Sequence, residues 1–289
     1  MKVLVSGGTG LVGRYIVEAL LDASYTVTVG GRTRPQPDLF SKPVEFVPLS
    51  LDPDLDQSDV FTGADFFVHA AFDHVPGKYR GGEGDDPKRF ARMNLDGTIK
   101  LFETAKRAGH RRAVFISSRA VYDGLPDGLP LIEDTDLSPT SLYGEIKHKG
   151  ELAVAGLCDP DFSTASLRLT GVYGHLRPNK WDQMFETYRS GGVIEPRAGT
   201  EVNGSDVGSA VRLMLEAEAS RIAGESFNVS DILTDRSEIL CHVDNGRRLP
   251  EKADLSQVRV MPTAKIEALG WRGGGKPLLA QTIRRLASS

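Results

Sequence analysis

Tyr143 and Lys147 stand four residues apart in the segment Ser138 to Lys147, SPTSLYGEIK. On a helix that spacing puts both side chains on one face. A phenol with a pKa near ~10 is a poor base at neutral pH, and lowering it by about three units takes roughly 4 kcal/mol of preferential stabilisation of the phenolate. An ammonium one turn away, in a partly dry cleft, supplies much of that. The pair is therefore suited to take a proton from an alcohol as hydride leaves its carbon, or to return one during reduction. The same spacing also arises by chance as a surface pair, so neighbouring features matter. The segment Phe115 to Tyr122, FISSRAVY, ends an apolar run with hydroxyls. Ser118 there can donate a hydrogen bond to a substrate oxygen, or simply cap the turn. Asn94, in NLDGT, is odd for a helix interior, and its amide suits bracing of nearby backbone.

A second chemical motif is GGTGLVG, Gly7 to Gly13, directly between an apolar run and an amphipathic one. Gly7 permits a tight turn, Gly10 lets the backbone approach a pyrophosphate, and Gly13 allows close helix–strand packing. Thr9, Leu11 and Val12 complete this cradle, where a helix N-terminus offers unpaired N–H groups and partial positive charge. The next apolar run ends in GGRTR, with Arg32 and Arg34 but no acid. An NAD-preferring site usually places Asp or Glu there for the ribose 2′-hydroxyl, whereas two arginines, Arg32 foremost, suit a 2′-phosphate. The expected cofactor is NADP, with NAD as runner-up.

Elements must hold these groups together. Short apolar runs at 2–5, 26–29, 44–49, 66–71, 113–117 and 163–169 read as buried parallel strands. Helical patterns lie between them at 11–23, 86–108 and 139–157, the last with Ser138 as N-cap and Pro139 at the first helical position. Alternation of strand and helix predicts an α/β, doubly wound parallel sheet of Rossmann type. After residue 169 regularity fades. Residues 175–205 hold turn formers and one short helix, 181–189; a helix at 206–219 and a strand at 226–229 return to the main sheet. Two further helices are expected at 262–269 and 278–286. The division expected is 1–170 with 206–229 as the dinucleotide-binding domain, and 171–205 with 230–289 as a small C-terminal substrate lobe. Charged, turn-rich loops at 31–43, 76–87 and 123–139 leave the strands' carboxyl ends, where ligands of such sheets bind.

The 289 residues carry a formal net charge of -4, which argues against a nucleic-acid partner. Two cysteines, Cys158 and Cys241, form no CxxC pair, and the six histidines (His69, His74, His110, His148, His175 and His242) show no ligand spacing, so no metal is expected. Neither a signal peptide nor an apolar run of about 18 residues is visible, so a cytoplasmic protein with no membrane contact is expected.

Taken together, these segments resemble the extended short-chain dehydrogenase/reductase family, the NAD-dependent epimerase/dehydratase group. Gly7 to Gly13 is similar to its glycine signature. Ser118 precedes Tyr143 at the family's spacing, LRLTGVYG (Leu167 to Gly174) resembles the turn at the nicotinamide end, and ALGW (Ala268 to Trp271) its C-terminal signature. The resemblance implies that Ser118, Tyr143 and Lys147 are catalytic. It implies that Leu51 and Asp52 contact adenine, and that Ala70, Ala71, Phe72, Asn94, Ile116, Gly171 and Val172 join Tyr143 and Lys147 around the cofactor. Phe72, Ser118, Arg119, His175 and Arg197 would face a sugar-type substrate, and dimers would form through helices 86–108 and 139–157. Departures narrow the activity. Arg119-Ala120 replaces the Asp-Glu pair of the group's dehydratases, Gly171 stands where many nucleotide-sugar enzymes have Asn, and the substrate lobe is short. The expected function is an NAD(P)-dependent oxidoreductase or epimerase on a sugar or nucleotide-sugar. The alternatives are a 4-keto-sugar reductase, a free sugar or uronate dehydrogenase, and a non-catalytic dinucleotide-sensing regulator.

Overall fold

Seven strands form one sheet: β1 (Lys2–Ser6), β2 (Thr26–Gly31), β3 (Glu45–Pro48), β4 (Phe66–His69), β5 (Arg112–Ser118), β6 (Ser163–Leu169) and β9 (Glu225–Val229). The computed structural model describes residues 1–75, 78, 81–243 and 246–288, so residues 76, 77, 79 and 80 of the expected second loop lie outside the described residues. The strand order is β3-β2-β1-β4-β5-β6-β9 and all pairs are parallel. Parallel neighbours need crossovers, which cover both faces of the sheet. On one face α1 (Leu11–Asp22) and α6 (Gly204–Glu216) bury Ile16, Val17, Leu20, Val207, Val211 and Met214 against β1, β2 and β6. On the other, α3 (Gly97–Arg107) and α4 (Leu142–Gly156) contribute Leu101, Phe102 and Val154 to a second core with Phe67 and Phe115. This is the Rossmann architecture expected, and β9 returns to the main sheet beside β6. The order reverses at β1, whose neighbours are β2 and β4, and the crevice opens above that switch point.

Two helices depart from expectation. The continuous helix expected at 86–108 is broken into α2 (Pro87–Ala91), a π-helical turn (Arg92–Asp96) and α3. A Cβ at Gly97 would lie 2.0 Å from the Leu51 carbonyl oxygen, so α3 begins pressed onto the chain leaving β3. Periodicity cannot show one extra residue in a turn, and such turns cluster at functional sites. α4 begins at Leu142 rather than Pro139, and its cap is Ser141, whose Oγ accepts the Gly144 N–H at 3.1 Å. Proline disfavours helical geometry at Ser138, so the next serine takes the cap.

The irregular stretch expected over 175–205 is more ordered than its composition suggests. β7 (Gly171–Tyr173), β8 (Ala198–Asn203) and β10 (Ile232–Asp235) form a three-stranded sheet ordered β10-β8-β7. Their sequences, GVY, AGTEVN and ILTD, hold no continuous apolar run of the kind that marks the strands of the main sheet. Around them α5 (Asp182–Ser190), α7 (Arg236–Leu240) and α9 (Gly275–Ser288) build a separate core of Tyr173, Trp181, Phe185, Leu240, Leu279 and Ile283. Tyr15 of α1 anchors this region: its hydroxyl accepts the Leu176 N–H at 2.8 Å, and Gly174 and Gly204 leave room for its ring. Ile266 of α8 (Ala264–Glu267) and Trp271 pack into the main core instead.

Candidate active site

A cleft of about 1100 Å³ runs across the carboxyl ends of β2, β1, β4, β5 and β6. Its first end is the glycine loop. Gly7 has φ +70°, and a Cβ there would lie 2.5 Å from the Ala71 nitrogen; a Cβ at Gly13 would lie 2.1 Å from the Gly7 carbonyl oxygen. Both positions therefore need glycine. Gly10 is the N-cap of α1 and brings no side-chain acceptor, and no acid sits in the first turn. The N–H groups of that turn and the helix's positive end face the cleft, the donor set that a pyrophosphate requires. The cradle thus fits a dinucleotide.

The other end holds the proton-handling groups. α4 projects Lys147 inward, where it is 5% exposed. Its Nζ donates to the Ile116 carbonyl of β5 at 2.7 Å, and two of its three N–H donors remain for other partners. The rings of Phe72 and Phe115 lie 4.6 and 4.7 Å from Nζ, and the Tyr143 ring lies 5.9 Å away. Burial pushes the Lys147 ammonium down to about 7, with Glu151, one turn on, pulling the other way. A cation so poorly solvated is stabilised strongly by an adjacent anion, whether phenolate or cofactor phosphate. Phe72 meets the Tyr143 ring edge-on at 5.1 Å between centroids, fixing its plane. Ser118 ends β5 and caps the following turn, its Oγ accepting the Ala120 N–H at 3.2 Å. That contact uses an oxygen lone pair and leaves the hydroxyl proton to donate.

Of the residues singled out in the sequence, Gly7, Thr9, Gly10, Leu11, Val12, Gly13, Arg32, Leu51, Ala70, Ala71, Phe72, Ile116, Ser118, Arg119, Tyr143, Lys147, Gly171, Val172 and Arg197 all line the cleft. Three do not. Asp52 turns to Arg92, 3.2 Å away. His175 packs edge-on against Tyr15, on α1. Asn94 is buried beneath the cleft with its amide saturated: Oδ1 accepts the Asp73 N–H at 2.7 Å, and Nδ2 donates to the Asp73 and Phe90 carbonyls at 2.7 and 3.0 Å. Its amide braces backbone and has no donor left for a ligand. The sequence reading missed Asp73, Arg89, Thr170 and Lys180, which also line the cleft. Thr170 lies within the segment Leu167 to Gly174, whereas Asp73, Arg89 and Lys180 lie in no motif and converge only because two loops and α2 meet. Lys180 is ion-paired with Glu201, whose carboxylate occupies the space beside Gly171 that a side chain at that position would take.

Buried polar groups support both ends. His69 Nδ1 is 2.6 Å from Ser6 Oγ and Nε2 is 2.9 Å from Thr98 Oγ1, tying the strand before the glycine loop to α3. Burial, with the Lys147 charge adding to it, drives His69 down to about 3 and keeps the ring neutral. Behind Lys147, Glu151 binds Arg168 through Nη2 at 2.8 Å and Nε at 3.1 Å, and Arg168 Nη1 reaches Tyr122 Oη at 2.6 Å. This network locks α4 to β6, and with it the angle at which Tyr143 and Lys147 enter the cleft.

The NAD dependent epimerase/dehydratase family matches residues 3–230. Human UDP-glucose 4-epimerase is 34% identical over 176 residues, 55% of this chain and 49% of that protein. D-erythronate dehydrogenase of Cupriavidus necator is 32% identical over 215 residues, 70% of this chain and 64% of that protein. The chain spans about half the length of the curated UDP-glucose 4-epimerases it matches. Among solved structures, a Thermus thermophilus UDP-glucose 4-epimerase complex with NAD has a TM-score of 0.77 at 24% identity, covering 100% of both chains. A UDP-N-acetylglucosamine 4-epimerase from Methanobrevibacter ruminantium, in complex with UDP-N-acetylmuramic acid, has a TM-score of 0.80 at 18% identity over 99% of this chain and 97% of that one. Both share its fold.

Proposed function

The chain belongs to the NAD-dependent epimerase/dehydratase family, and from that premise we propose that it moves a hydride to or from a sugar-type substrate, with Tyr143 as the proton carrier. The observation that carries this reading is Lys147, buried on the Ile116 carbonyl, facing the Tyr143 ring in the same cleft as the glycine loop. A nicotinamide dinucleotide, when bound, supplies the hydride acceptor or donor. The rest falls to the chain's own residues. The glycine loop and the start of α1 hold the phosphates, and Arg32 favours a 2′-phosphate, hence NADP over NAD. Ser118 donates to the reacting oxygen, Tyr143 exchanges its proton with that oxygen, and Lys147 stabilises the phenolate that results. Tyr143→Phe tests the assignment. Turnover falls by about 10²–10⁴-fold while dinucleotide affinity is retained; unchanged turnover would refute the role of Tyr143.

The substrate end admits two readings. Nucleotide-sugar 4-epimerases among the relatives favour a sugar carried on a diphosphate. A relative that matches 70% of this chain is named a D-erythronate dehydrogenase and favours a free sugar acid instead. Of the cations lining the cleft, Lys180 is ion-paired with Glu201 and Arg119 faces Asp123 at 3.6 Å, and the rest would serve either anion. Purified protein offered nucleotide sugars, free aldoses, uronates and aldonates in parallel separates them. Epimerisation would retain the cofactor between half-reactions, whereas net oxidation or reduction would release it.

A further inference from the structure

Asp73 lies four residues beyond β4 and receives two guanidiniums. Arg89 Nη1 is 2.8 Å from its Oδ2 and Arg32 Nη1 is 3.3 Å from its Oδ1. The Asn94 amide grips its backbone on both sides, accepting from its N–H and donating to its carbonyl. The carboxylate is therefore fixed and only 15% exposed, while the Arg32 side chain is 82% exposed. β2 and β4 flank β1, so the Arg32–Asp73 bridge spans the end of β1 beside the glycine loop. All three charged residues line the cleft. The end of β2 itself offers no carboxylate: it is Gly30-Gly31, and a Cβ at Gly30 would lie 2.8 Å from Leu49 Cδ2.

We propose that Asp73 is an internal rival to the cofactor's 2′-phosphate for Arg32, and so tunes the choice between NADP and NAD. The proposal rests on reading the cleft as a dinucleotide site with Arg32 at its adenosine end. An ion pair involving so exposed an arginine is weak, and a doubly charged phosphate with three acceptor oxygens forms the stronger partner. Arg32 leaves Asp73 when the 2′-phosphate arrives, and Arg89 keeps the carboxylate neutralised. With NAD nothing draws Arg32 away and the bridge stays closed. Asp73 thus lowers the affinity for NADP without touching the cofactor.

Calorimetric titration of NADP⁺ and NAD⁺ into the wild type, Asp73→Asn, Arg32→Ala and the double variant tests this. Asparagine keeps the size of the side chain, and the Asn94 grip acts on backbone, so the fold is retained; equal thermal midpoints check that. Asp73→Asn is expected to tighten NADP⁺ binding about two- to fivefold and to leave NAD⁺ within about twofold. The gain disappears in the Arg32→Ala background and shrinks in about 0.5 M salt. Weaker NAD⁺ binding with NADP⁺ unchanged would overturn the proposal and make Asp73 a ligand of the ribose hydroxyl. Weaker binding of both would make it only an organiser of the arginines. Failure of the wild type to bind either dinucleotide would instead remove the underlying reading of the cleft.

Discussion

At the scale of residues, the informative feature is that Lys147 is held where its own charge is costly. It has one carbonyl partner, aromatic rings on two sides, and a pKa pushed down to about 7 by burial. Between pH 7 and about 10.5 the unfolded chain binds this proton and the native chain does not, so the contribution to stability rises with pH through that window. The full cost of burying the charge falls at and below pH 7. Lys147→Met is therefore expected to raise the thermal midpoint at pH 6 by at least about 2 °C, with a smaller gain at pH 10, while turnover is lost. A midpoint that falls at pH 6 would mean the Ile116 contact stabilises more than the desolvated charge destabilises. Stability gained with activity lost would mark the side chain as kept for chemistry.

At the scale of elements, the π-helical turn and the start of α3 join the chemistry to the sheet. The turn carries Asn94, which holds Asp73 at the cleft, and Gly97 follows it directly, against the Leu51 carbonyl. A methyl group at position 97 would run into the Leu51 backbone, which cannot swing aside as a side chain could. Gly97→Ala is expected to cost about 1–3 kcal/mol in urea unfolding. It should also weaken dinucleotide binding, because Ser50 and Leu51 line the cleft and must shift. Unfolding destabilised as expected but dinucleotide affinity unaltered would show that this helix contact serves stability alone. The motif NLDGT is legible in sequence as an oddity, but the turn it makes is not. Whether a helix accommodates an extra residue depends on what the neighbouring chain presses against it.

At the scale of the whole molecule, the start of α6 fastens the C-terminal segments to the main sheet. The Asp206 carbonyl accepts the Trp271 indole N–H at 3.0 Å, and its carboxylate accepts the Gly274 N–H at 3.0 Å. Burial raises its pKa to about 6, with the Gly274 contact opposing and nearby Asp231 adding to the rise. Between pH 3.8 and about 6 the native chain binds this proton and the unfolded chain does not, so stability from this group falls as pH rises through the window. Asp206→Asn keeps an acceptor for Gly274 and removes the charge. Above pH 6 its thermal midpoint is expected to exceed the wild type by about 2 °C or more, and the two are expected to converge near pH 4. A variant less stable than wild type at every pH would mean the ionised carboxylate contributes to the joint.

The sequence by itself determined the parallel sheet, the glycine turn and the shared helix face of Tyr143 and Lys147. These depend on local rules: apolar runs set strands, glycines set a turn, and a spacing of four sets a helix face. Tertiary structure alone decided the rest. Asp73 and Lys180 reach the cleft from separate loops and Arg89 from α2, Asp52 and His175 are drawn elsewhere by Arg92 and Tyr15, and the small sheet of β7, β8 and β10 closes from segments far apart in the chain. Isolated charges carry no periodicity, and β7, β8 and β10 hold no continuous apolar run. Their partners are set by where the sheet's edges and helix ends deliver them, which no local pattern encodes.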